Sequence, residues 1–106
     1  MNELTVKLKS VGNPDFQQYA PVSPKDTKQC STLKEASEIC RQYIDKWNLG
    51  GCNWVGGQIF IGKKQIAFIS YNGRIWKGKE NFPNTEIPEN IALLSGTELQ
   101  TALKNL

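Results

Sequence analysis

The chain has 106 residues, 39% of them apolar and 22% charged, with 13 basic and 10 acidic side chains, no histidine and a formal charge of +3. That is the size and balance of one soluble globular domain, and no stretch approaches the roughly 20 apolar residues of a membrane span. The N-terminal MNELTVKLKS lacks the apolar centre of a signal peptide, so the expected compartment is the cytoplasm and no membrane is expected.

Residues 3–9, ELTVKLK, alternate apolar and polar, which predicts a half-buried first strand. The segment 10–31 holds Pro14, Pro21 and Pro24 with no sustained period. It reads as a long ordered or semi-ordered loop, with Phe16, Tyr19 and Val22 pinning it to the core.

The main helix is predicted over about 33–48. Thr32 and Glu35 form a capping box, and Leu33, Ala36, Ile39, Cys40, Tyr43, Ile44 and Trp47 fall within an arc of roughly 140°. Gly50 is placed to end it in the left-handed conformation. The pair Gly56-Gly57 marks a bend, a bulge or a close backbone approach, and not a phosphate loop, because a strand rather than a helix follows.

Strands 58–61, 65–71 and 74–77 then predict an antiparallel meander, with the register of the first left open by the Gly62-Lys63-Lys64 turn. Asn72-Gly73 is a strong two-residue hairpin signal. With that turn Ile69 pairs with Trp76 and Phe68 with Lys77, so Ile69, Tyr71, Arg74 and Trp76 share one face. After the turn-rich segment 81–90 the run Ile91–Leu94 reads as a helical turn begun at Pro88, and a last short helix follows. A second capping box at Ser95 and Glu98 opens that helix, whose apolar stripe is Leu99, Ala102, Leu103 and Leu106. The fold class is α+β: a single domain with an antiparallel sheet, made of the N-terminal strand and the meander, packed with one main amphipathic helix and a short C-terminal one.

The chemistry available is limited. Without histidine the commonest general base and metal ligand are missing, and Cys30, Cys40 and Cys52 have no metal-binding spacing. No metal and no cofactor are expected. Cys30 alone lies near a helix start, the one place where a thiol would gain activation. The acids Glu35, Glu38 and Asp45 belong to the solvated helix face. No enzymatic activity is expected.

The informative constellation is Tyr71, Arg74 and Trp76, a guanidinium between two rings on one sheet face. Such a surface anchors a protein partner or stacks a planar ligand, and the first helix can cover only one of the two apolar faces of the meander. The competing reading packs Trp76 and Ile69 under the C-terminal helix or the long loop, with Arg74 merely covering them. A small intracellular binding protein acting by protein–protein contact or self-association, of inhibitor, immunity or adaptor type, is the expectation. The alternative is a nucleic-acid-binding sheet, since segment 50–79 has no acid and carries a basic patch of Lys63, Lys64, Lys77 and Lys79 beside Arg74. Those lysines also suit solubility and the guarding of a strand edge.

In the run 69–88, ISYNGRIWKGKENFPNTEIP, Tyr71, Gly73 and Trp76 follow an aromatic-x-Gly pattern with a second aromatic three residues on, then a loop ending near proline. This resembles the core of the small chitin- and cellulose-binding modules of secreted hydrolases. The likeness covers about a fifth of the chain and implies carbohydrate binding on the hairpin aromatics, although Phe82 is a poor match for the family's paired stacking residue.

Overall fold

The alternation after Glu3 makes β1, Leu4–Leu8, which buries Leu4, Val6 and Leu8 and turns Thr5 and Lys7 to the other side. The computed structural model describes residues 3–12, 20–21, 23–79 and 85–106. Segment 10–31 is not loop throughout: Asp26–Cys30 forms β2, antiparallel to β1, with Leu4 opposite Cys30 and Leu8 opposite Asp26. Its sequence DTKQC carries no alternation because only Cys30 is buried in this edge strand, and its pairing comes from the backbone. Phe16, Tyr19 and Val22 lie outside the described residues. What visibly anchors the segment is polar. The Ser10 and Ser23 hydroxyls share a 2.6 Å hydrogen bond, Ser23 bonds the Tyr43 phenol, and that phenol donates to the Pro24 carbonyl at 2.6 Å.

The helix α1, Leu33–Lys46, starts as its cap predicts, with the Glu35 amide donating to the Thr32 hydroxyl oxygen at 3.1 Å. Leu33, Ala36, Cys40, Tyr43 and Ile44 are buried, Ile39 is half-buried, and Trp47 reaches the surface. The left-handed residue at its end is Asn48, with φ 50°, rather than Gly50. The Leu49 amide donates to the Ile44 carbonyl at 3.0 Å and the Asn48 amide to the Asp45 carbonyl at 3.3 Å. This Schellman arrangement carries Leu49 into the core, which offsets the modest strain of a left-handed asparagine.

Strands β3 (Gln58–Ile61), β4 (Lys64–Ile69) and β5 (Ile75–Lys77) complete a five-stranded sheet in the order β2-β1-β3-β4-β5, every neighbour antiparallel. The fold is therefore α+β, with β2 added to the strands read from the sequence. Ile61 faces Lys64 across a two-residue turn in which Gly62 has φ 60°. The register then shifts: Phe60 pairs with Gln65 but Ile59 with Ala67, which makes Ile66 the extra residue of a β-bulge.

Gly56 and Gly57 mark the expected close approach. Gly57 has φ 91°, and a Cβ there would stand 2.4 Å from the Ile69 carbonyl oxygen, while one on Gly56 would stand 2.8 Å from the Lys9 nitrogen. The Gly57 amide donates to the Lys7 carbonyl at 2.7 Å and its carbonyl accepts from Ile69 at 2.9 Å, so this backbone stitches β1 to β4.

The β4–β5 hairpin corrects the sequence reading. Its loop is Tyr71, Asn72 and Gly73, closed by the Ser70 amide on the Arg74 carbonyl at 3.0 Å, and of the loop residues only Gly73 has positive φ, at 86°. Ile69 therefore faces Ile75, Phe68 faces Trp76 and Ala67 faces Lys77, one residue away from the expected pairing. A slip of one exchanges the faces of β5. Ile75 goes to the core beside Ile69, and Trp76 goes to the opposite side.

Helices α2 (Glu89–Ala92) and α3 (Gly96–Lys104) add Ala92, Leu99 and Leu103 to the same core cluster that holds the α1 stripe and the inner residues of the sheet. Pro88 opens α2 as expected, whereas the Ser95 side chain makes no cap bond, so the second capping box does not form. Lys34 meets Glu89 at 2.8 Å and ties α1 to α2 at the surface.

Gly57→Ala should cost roughly 2–4 kcal/mol in urea unfolding, because backbone atoms stand where its methyl would go. Gly62→Ala, with φ 60° but open space around it, should cost only about 1–2 kcal/mol. Equal losses would contradict the close approach at Gly57.

Candidate functional site

With β5 in its observed register, alternation places Thr5 and Lys7 of β1, Gln58 and Phe60 of β3, Gln65 and Phe68 of β4 and Trp76 of β5 on the sheet side opposite the core cluster. Phe60, Phe68 and Trp76 are each half-buried. The Phe68 and Trp76 rings lie nearly parallel, 19° apart in plane with centroids 6.5 Å apart. The Trp76 indole N–H donates to the Ser70 hydroxyl at 3.2 Å, which fixes the ring's direction. Farther along the same side the Lys7 ammonium stands 4.7 Å from the Phe60 centroid. The buried residues of α1, α2 and α3 belong to the core cluster on the other side.

The expected trio is not assembled here. Tyr71 is in the loop, 41% exposed, and its hydroxyl donates to the Leu49 carbonyl at 3.1 Å, toward the end of α1. Arg74 is exposed at a 360 Å³ depression shared with Lys34, Glu38, Glu86 and Glu89. The depression that Arg74 lines is thus of mixed charge. Of the three, Trp76 lies within the aromatic face, and Arg74 stands opposite Ser70 at its edge. The expected two-residue turn sets the companion Phe68 on the opposite side from Trp76, and the open register of strand 58–61 leaves Phe60 unassigned. Ile69, paired with Trp76 in the competing reading, is 1% exposed in the core.

The basic patch divides. Lys64 and Lys77 line a cleft with Lys104 of α3, on the side away from Trp76. Lys63 is exposed in the β3–β4 turn, and Lys79 follows β5. The Lys77 ammonium donates to the Leu106 carbonyl at 3.2 Å. The sequence offered no signal for Lys104, which comes from an acidic C-terminal segment and joins the cleft only through the packing of α3.

The thiols are free. Cys30 is buried, its Sγ–H directed at the Thr32 carbonyl at 3.4 Å. Burial first, and then the negative charges of Glu35 and Glu3, push its thiol up to about 11, so the nearby helix start does not activate it. Burial and then Cys30 raise Cys40 to about 12. Cys52 is exposed. Among the described residues, no group of three or more His, Cys, Asp or Glu side chains is placed to hold a metal, and no helix is long and apolar enough to cross a membrane.

No family model, no curated protein and no solved structure matches the chain. The likeness to the chitin- and cellulose-binding modules thus rests on Tyr71, Gly73 and Trp76 alone, and Tyr71 and Trp76 point to different surroundings. Phe82 lies outside the described residues.

A disulfide thiol reagent at pH 8 should modify one equivalent of native protein quickly, at Cys52, and the other two only after urea is added. Modification of Cys30 in the native protein as fast as Cys52 would contradict its burial.

Proposed function

We propose that this chain is a non-catalytic binding protein that acts by protein–protein contact, as inhibitor, immunity and adaptor proteins do, and that it presents the sheet face carrying Phe60, Phe68 and Trp76. The observation that carries the reading is the Phe68–Trp76 stack on the side opposite the helices. It has the make-up of an interface centre: aromatic rings with a rim of Thr5, Gln58, Gln65 and Ser70, which offer hydrogen bonds, and of Lys7, which adds one positive charge. Tryptophan is among the residues whose removal costs most at such centres. Three free thiols suit a reducing compartment, and we place the protein in the cytoplasm on that ground.

The aromatic face also separates this reading from nucleic-acid binding. A single-strand platform combines rings with cations that track phosphates. Here Lys77 projects from the opposite side to Trp76 and Lys64 lines the same cleft as Lys77, and the cation set beside a ring of this face is Lys7.

The partner is first isolated on the wild-type protein and then purified for calorimetry. Trp76→Ala should weaken binding about 30-fold or more, which is about 2 kcal/mol. Trp47→Ala, removing the exposed indole at the end of α1, should change it by less than about threefold. Unchanged affinity in Trp76→Ala would overturn the reading. So would a loss of several kcal/mol of folding stability in that variant, which would make Trp76 structural.

A further inference from the structure

On the helix side of the sheet, between the β3–β4 turn, the end of β5 and the last turn of α3, lies a cleft of 320 Å³. Ile61, Ile66 and Leu103 supply its apolar surface, and Lys64, Lys77 and Lys104 also line it. Among the described residues, no Asp or Glu lines it. We infer that this cleft receives an acidic segment of a partner protein, seating one aliphatic side chain on Ile61, Ile66 and Leu103 with flanking carboxylates on the lysines.

Two features of the chain build this site. The β-bulge breaks the alternation of β4, so Ile66 lines the cleft with Ile61 and Lys77 instead of joining Phe68 on the other face. The packing of α3, anchored by buried Leu99 and Leu103, then brings Lys104 to the two lysines of the sheet. Three lysines thus come together from the β4–β5 hairpin and the distant α3. The Lys77 ammonium is held by the Leu106 carbonyl at 3.2 Å, and the cationic lining attracts an anion.

The apolar surface decides which anion. Bare phosphate or a nucleic-acid backbone would use the ammonium groups and leave Ile61, Ile66 and Leu103 uncovered. Among the described residues, no aromatic ring lines the cleft to stack a base. At 320 Å³ the space is near the lower end of small-molecule sites, which suits a single side chain better than a large ligand. A peptide with an aliphatic residue between carboxylates matches both parts. The inference does not depend on the aromatic face, which lies on the other side of the sheet.

The test uses spectra of the full chain labelled at Ile and Leu methyls, titrated with the acetylated, amidated peptide Glu-Glu-Leu-Glu-Glu at low salt. Saturable shifts should appear at the Ile61, Ile66 and Leu103 methyls and leave the Phe68–Trp76 face unmoved. Affinity should fall about tenfold or more between roughly 20 and 300 mM salt, since exposed ion pairs are screened over about 10 Å. Lys64→Glu combined with Lys104→Glu, both exposed positions, should abolish the shifts without loss of fold. Replacing the central leucine of the peptide by alanine should weaken binding about tenfold. No saturable shift at low salt, or equal binding of the alanine peptide, would overturn the inference. Tighter binding of an oligothymidylate at the same methyls would replace it with a nucleic-acid site.

Discussion

The Ser37 hydroxyl of α1 donates to the Gly73 carbonyl at 2.7 Å and the Arg41 guanidinium to the Tyr71 carbonyl at 2.9 Å, so the tip of the β4–β5 hairpin is held against the helix. Within the loop the Asn72 side-chain oxygen accepts from the Arg74 amide at 3.2 Å and the Ser70 hydroxyl at 2.6 Å. The Gly73 amide closes the turn on the Ser70 carbonyl at 2.9 Å. These contacts belong to a three-residue loop with glycine in the left-handed position, the next most common hairpin after the two-residue forms. Burying an isoleucine contributes about 1.5–3 kcal/mol, and each net hydrogen bond about 0.5–1.5 kcal/mol. Together they exceed the intrinsic preference of Asn-Gly for the tighter turn.

Everything on the two faces follows from that loop. Ile75 completes the core beside Ile69, where α1 and the C-terminal helices can cover it. Trp76 is sent to the other side, stacks on Phe68 and is steered by Ser70. Lys77 returns to the helix side, where it meets Lys64 and Lys104. The hairpin thus sorts aromatic and cationic groups onto opposite surfaces, and a two-residue loop would have mixed them. Gly57 acts on the same strand from its other edge, because its carbonyl accepts the Ile69 amide and its lack of a side chain admits that approach.

Much of the fold was legible because burial and periodicity agree. The β1 alternation, the α1 stripe with its Thr32 cap, the glycine pair and the turn at Pro88 all appear where the residues place them. Strand β2 was not legible, since an edge strand with four exposed residues in five needs no apolar pattern. Asn48 replaced Gly50 as the helix terminator because Leu49 is drawn into the core, a tertiary effect that no local rule carries. The candidate site was legible only in part. Trp76 was recognised, but its neighbours depend on a register that local turn chemistry assigned one residue away. The bulge at Ile66 and the arrival of Lys104 likewise arise from packing between distant segments.

The measurement that bears most directly on this arrangement is the set of cross-strand proton contacts between β4 and β5 in solution. Contacts between the Phe68 ring and the Trp76 indole, together with Ile69 opposite Ile75, are the predicted result. Contacts of Ile69 with Trp76 and of Phe68 with Lys77 would contradict it, because they would return the indole to the core side and dissolve the aromatic face.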